Sequence, residues 1–146
     1  MSGRALGTRR REQRGSVVVE FALVVPLVVL IVVGVIQYGY HYWAMQTASA
    51  TAREAARRLI VGTDPVCTVT EAQSRASGPA VGSTVPTVTY AYDNAGNTAE
   101  RGVLVTVTVT IQSLDVGLVP LPSGGVVTQT ASNRVENVPI DALPCP

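Results

Sequence analysis

Residues 17–36 read VVVEFALVVPLVVLIVVGVI, and only Glu20, Pro26 and Gly34 interrupt the apolar run. At about 1.5 Å per residue, a helix of this length spans roughly 30 Å, the thickness of the hydrocarbon layer of a bilayer. A stretch this long and this poor in charge predicts one membrane-spanning helix. The rest of the chain is read outward from it.

On its N-terminal side stands MSGRALGTRRREQRG, residues 1–15, with five arginines (Arg4, Arg9, Arg10, Arg11, Arg14) and one acid, Glu12. The leader therefore carries +4, while residues 16–146 carry −3, an asymmetry hidden in the overall net charge of +1. A basic flank stays in the cytoplasm, so the leader is expected inside and everything after the helix outside the cell (inner or plasma) membrane. A cluster this short and this close to lipid gives no reason to expect a nucleic-acid partner. The leader shows no apolar periodicity and reads as a disordered cytoplasmic segment. On the other side, Tyr38, Tyr40, Tyr42 and Trp43 mark the outer interface, where amphipathic rings prefer to sit.

No stop follows the aromatic cluster. Residues 44–60, AMQTASATAREAARRLI, hold no Gly or Pro, so the helix is expected to run over 16–60 until Gly62 and Pro65 end it. Ala44, Ala48, Ala52 and Ala56 form a stripe of small side chains. Such a stripe suits close packing against another helix, or packing of an alanine-rich helix on its own domain. Beyond it, residues 61–146 read as an extracytoplasmic β-rich domain, with a short helix within 66–77. Residues 85–92 and 102–111 alternate Val with Thr or Tyr, and Asp93–Asn97 supply the turn between them. Val103, Val105, Val107, Val109 and Ile111 share one face, and Thr106, Thr108 and Thr110 the other. A further strand is expected over 126–138, after a loop containing Pro120, Pro122 and Ser123–Gly125. The fold class is α+β: a long N-terminal helix that crosses the membrane and continues outside, then a small antiparallel domain of about 3–4 strands.

Cys67 and Cys145 both fall outside the membrane, where an isolated pair usually forms a disulfide, the alternative being two free thiols. Closing a span of 78 positions is worth roughly 4.5 kcal/mol in the chain-entropy model, a large share for a domain whose core is mostly valine. The single histidine, His41, lies far in sequence from both cysteines, so no metal site is expected and no cofactor is implied. The acids beyond the membrane are scattered without catalytic spacing, which argues against an enzyme and against a small-molecule substrate.

The junction Arg14-Gly15-Ser16-Val17-Val18-Val19-Glu20-Phe21 places a carboxylate inside the apolar run. Charge at the centre of a membrane helix costs on the order of 3 kcal/mol, less one turn from its end. Glu20 either reaches up to the headgroups or pairs with a cation presented at membrane depth. The stretch 14–59, RGSVVVEFALVVPLVVLIVVGVIQYGYHYWAMQTASATAREAARRL, resembles the N-terminal region of TadE-like proteins, pilin-like components of Tad (Flp, type IVb) pilus systems. Gly15, Glu20-Phe21-Ala22-Leu23, Pro26, Gly34, Gly39 and Ala55-Ala56-Arg57 carry the resemblance. Looser similarity extends to 105–109 and 131–136, and Gln37 departs from it, standing where the family often has an acid.

The resemblance implies a minor-pseudopilin role in pilus assembly or secretion, with other pilin-like subunits, Tad assembly platform proteins and a prepilin peptidase as partners. Processing would use Gly15, Ser16, Glu20 and Phe21, with the cut between Gly15 and Ser16. Glu20 would then neutralise a neighbour's new amino terminus. Helix packing would involve Pro26, Gly34, Ala44, Ala48, Ala52 and Ala56.

Other readings fit less well. A secretory signal would end near Ala48-Ser49-Ala50, a dozen residues past the apolar run, which is itself too long. Thr8-Arg9-Arg10 lacks the apolar residues a twin-arginine signal needs behind it. A membrane-tethered binding module remains the alternative function, although a bare anchor needs neither the helical extension nor the Gly15/Glu20 pair.

Overall fold

The computed structural model describes residues 9–80, 84–136 and 138. A single helix, α1, runs over Arg9–Ile60. A short helix α2 (Pro65–Ala76) follows, then strands β1 (Thr87–Tyr92), β2 (Leu104–Gln112) and β3 (Val126–Arg134), with a 3₁₀ turn at Pro122–Gly125. The strands form one antiparallel sheet in the order β1-β2-β3. This is the expected α+β architecture, with three strands among the described residues.

At 52 residues, α1 is about 78 Å long. Its start corrects the sequence reading, because residues 9–15 are helical and not irregular; residues 1–8 lie outside the described residues. Extending an existing helix skips the nucleation cost, and Arg, Glu and Gln propagate it well. Gly62, at φ +90°, ends α1 in the left-handed conformation that glycine adopts freely. Asp64 then caps α2, its side chain accepting from the amides of Val66 (2.8 Å) and Cys67 (3.0 Å), with Pro65 at the first helical position.

The sheet lies along the C-terminal part of α1. Val105, Val107, Val109 and Ile111 of β2 are all at most 1% exposed, and they share one core with Ala44, Ala48, Ala52 and Ala56, each at 0%. Alanines on the helix let the branched β2 side chains approach closely, so large meets small across the interface. Val88, Tyr92 and Val127 from the edge strands complete that layer, and Thr68, Ala72 and Ala76 turn one face of α2 inward. The opposite face of the sheet is polar, with hydroxyl pairs Thr106–Ser132 (2.8 Å) and Thr110–Thr128 (3.2 Å) across β2 and β3.

β3 is shorter than the expected 126–138. Val135 still exchanges backbone bonds with Val103 and Gly102, but the Glu136 amide turns to the last carbonyl of α1, that of Ile60 (3.1 Å). That bond fastens the far end of the sheet to the end of the helix. β1 begins only at Thr87, after Pro86, which has no amide hydrogen to give to the ladder.

Candidate functional site

The two ends of α1 have opposite environments. Over its most apolar stretch no residue is buried by the rest of the protein, and α1 is long and apolar enough to cross a membrane. Val17, Phe21, Leu23 and Leu27 are 60–74% exposed. From Gln37 onward one face is buried at 37, 41, 44, 48, 51, 52, 55, 56 and 59. Small domains do not leave such an apolar surface in water, so the bare half belongs in lipid or against other apolar helices.

The residues singled out from sequence divide along this line. Gly15, Ser16, Glu20, Phe21 and Pro26 lie exposed on the bare half. Gly15 is helical, with open space where a side chain would project. Glu20 has no hydrogen-bond or ion-pair partner among the described residues. Gly34 is half-buried, and a methyl group there would meet Val119 Cγ2 at 3.5 Å. Ala44, Ala48, Ala52 and Ala56 are covered by the chain's own sheet, which is the domain-packing alternative of the two that the stripe allowed. Cys67 sits in the first turn of α2, and no described cysteine is free. Cys145 lies outside the described residues.

Between the bare and clad halves is a polar junction that the sequence did not reveal. The Gln37 amide nitrogen donates to Asp115 Oδ1 (3.1 Å) and to the Val119 carbonyl (2.8 Å), and the Tyr38 hydroxyl donates to the Pro120 carbonyl (3.0 Å). One turn further on, Ser113 Oγ donates to the Gly125 carbonyl (2.9 Å) and lies 3.1 Å from His41 Nδ1. Ser113 has one hydrogen and a carbonyl cannot donate, so His41 Nδ1 carries the proton and gives it to the hydroxyl. Gln37 and His41 are fully or nearly buried, and Gln37 Oε1 has no partner among the described residues. Gly125 shapes this junction: at φ +78° it suits glycine, and an added Cβ would lie 3.0 Å from Gln112 Nε2 and 3.2 Å from Ser113 Oγ.

A signal was available in hindsight, because Gln37 and His41 fall on the same helical face as Ala44 and Ala48. A stripe that turns polar at the edge of the apolar run marks where a folded domain meets the helix.

At the distal end, charges join α1 to α2. Glu54 accepts from Arg57 Nε (3.2 Å) and Arg58 Nε (3.1 Å), while Arg58 also grips both oxygens of Glu71, which in turn accepts from Arg75 (2.7 Å). The hydrogen bonds from Arg58 and then Arg57 hold the Glu54 carboxyl below its usual value, and the Glu54 bond raises that of Arg58 further. In the core, burial raises the Tyr92 phenol. Among the described residues no three His, Cys, Asp or Glu side chains gather as metal ligands.

A long helix, bare and apolar at one end and clad by a small sheet at the other, has the form of a candidate membrane span that carries a compact head. Residues 15–57 match the family described as TadE-like protein, which is the resemblance read from the sequence. The match spans α1 from the leader junction to the start of its last turn and covers under a third of the chain. No curated protein and no solved structure matches the chain. The family suggests a pilin-like component of a Tad pilus, membrane-associated and structural rather than enzymatic.

Proposed function

We propose that the chain is a minor pseudopilin of a Tad/Flp (type IVb) pilus or secretion system, assembling through the bare half of α1. The observation that carries this reading is the division of the TadE-like segment. Its outer part is used up by the chain's own sheet, while its membrane part offers an uncovered apolar surface and a carboxylate, Glu20, without a partner among the described residues. A buried charge demands a counter-charge, and the amino terminus of a neighbouring processed subunit supplies one at the matching depth. Pro26 leaves the Ala22 carbonyl without its usual intrahelical donor, giving the bare face a polar spot for a neighbour.

In this reading the leader is cytoplasmic and the sheet domain extracytoplasmic. A prepilin peptidase cuts between Gly15 and Ser16, and Tad platform proteins and other pilin-like subunits are the partners. Glycine is the weakest helix former after proline, so near the leader junction α1 unwinds most cheaply at Gly15 to enter a protease. Phe21 beside Glu20 contributes to the same processing site. Outside the membrane, Cys67 bonds Cys145 and ties α2 to the C-terminal segment.

N-terminal sequencing of the protein from membranes of its native host tests the processing step. Ser16 as the first residue is expected; Met1 or Ser2 as the sole N-terminus would reject it.

A further inference from the structure

The loop between β2 and the 3₁₀ turn, residues 113–121, descends along α1 toward the membrane. Taken along the helix, Trp43 to Gly34 is nine residues, or about 13 Å. Ser113 meets His41, Asp115 and the Val119 carbonyl meet Gln37, the Pro120 carbonyl meets Tyr38, and Val119 packs on Gly34. The loop therefore runs down alongside the aromatic belt and reaches one turn below it, beside the last turn of the apolar run that ends at Ile36. Its tip nevertheless presents Val116 and Leu118, 49% and 59% exposed.

Irregular backbone survives at membrane depth only where its polar groups are satisfied within the protein. The part of the loop nearest the helix is arranged that way. Asp115 Oδ1 accepts from both Gln37 and the Gly117 amide (2.9 Å), the carbonyls of Val119 and Pro120 are taken by Gln37 and Tyr38, and prolines at 120 and 122 present no donors. The large side chains exposed at the tip are Val116 and Leu118, while the carboxylate of the neighbouring, exposed Asp115 is turned to Gln37 and the Gly117 amide.

We propose that this loop is a second membrane contact: Val116 and Leu118 insert into the outer leaflet of the bilayer that α1 spans, seating the domain on the lipid surface. The occupant is lipid because the tip is continuous with the membrane-spanning part of the same helix and lies at its depth. The proposal requires only that α1 crosses a membrane, and it stands whether or not the chain assembles into a pilus.

The test uses the full chain in phosphatidylcholine liposomes at about one chain per vesicle. A cysteine at Leu118→Cys, or separately at Ala95→Cys in the β1–β2 turn at the far end of the sheet, carries an environment-sensitive fluorophore attached without reductant. The chain with no added cysteine serves as the labelling blank. All of these positions are exposed, so the substitutions do not burden the fold.

The expected result is a blue shift at 118 and loss of its emission with lipids brominated near the headgroup end of the acyl chain, with neither change at 95. Val116→Cys should repeat the behaviour of 118, which excludes a label that merely drags its own residue into lipid. Water-like, unquenched emission at both 118 and 116 would overturn the proposal. So would protection that appears only at high chain density, since a second copy would then be the occupant.

Discussion

Ser113→Ala is the substitution that most sharply tests how the sheet domain is held to the helix. The side chain is 2% exposed and serves two partners, accepting from His41 Nδ1 at 3.1 Å and donating to the Gly125 carbonyl at 2.9 Å. Removing the hydroxyl leaves the buried imidazole N–H without an acceptor, while the Gly125 carbonyl keeps the Ser113 amide (2.9 Å). One buried donor stranded costs about 1–3 kcal/mol, and loss of the second bond adds roughly 0.5–1 kcal/mol. A total near 2–3 kcal/mol lowers the melting temperature by roughly 10–20 °C in a domain of about this size.

Thermal unfolding in detergent micelles, followed by the β-sheet circular dichroism signal, measures it. Thr110→Ala is the control: it deletes an exposed hydroxyl pair with Thr128 and should shift the transition by no more than a few degrees. Equal melting temperatures for the two variants would refute the idea that this junction clamps the domain.

Ala48→Leu should force the helix and β2 apart, costing about 1–3 kcal/mol, and denaturant unfolding should show a lowered midpoint. If the variant is as stable as the parent, Ala48 does not face the sheet. The Glu54 carboxyl is depressed in the folded state, so its contribution is present above the ordinary carboxylate value and is lost as pH falls through the depressed one. The melting temperature should therefore hold from neutral pH to about 5 and fall below about 4, with a shallower fall in Glu54→Gln; equal slopes would refute the linkage. Thiol labelling of the denatured, unreduced chain should find no reactive cysteine, and two per chain would reject the Cys67–Cys145 bond.

The elements that could be read in advance were those with strong periodicity. The Val/Thr alternation of β2 has period two over nine residues, so both its existence and its buried face were legible, and the register buries Val105 to Ile111 as expected. The short helix was expected within 66–77, but its start was not legible: Pro65, read as a stop for α1, opens α2 behind the Asp64 cap. The alanine stripe was visible too, but small side chains admit a sheet as readily as a second helix. What settled its partner was a valine strand of matching length, distant in sequence.

The polar junction was not legible, because Gln37 and Asp115 are 78 positions apart and the loop between β2 and β3 has no repeating pattern. The helical end of the leader was missed for a different reason. Its residues have no apolar face, yet they need none to prolong a helix already formed. Glu20 was legible as an anomaly, and it remains one: a carboxylate on a bare apolar helix, with no partner among the described residues.

That carboxylate is also where the account is most exposed to a single measurement. A strain lacking the wild-type copy is complemented with Glu20→Gln, and its pili are counted by electron microscopy. Should Glu20 only reach for headgroups, the substitution removes a charge near hydrocarbon and does no harm. Paired with a neighbour's amino terminus, the same change strands a buried ammonium at a cost on the order of 3–5 kcal/mol, weakening association by roughly two to three decades. The account predicts a variant that inserts and accumulates at the wild-type level but leaves the cells without pili. Normal piliation at that level would contradict it.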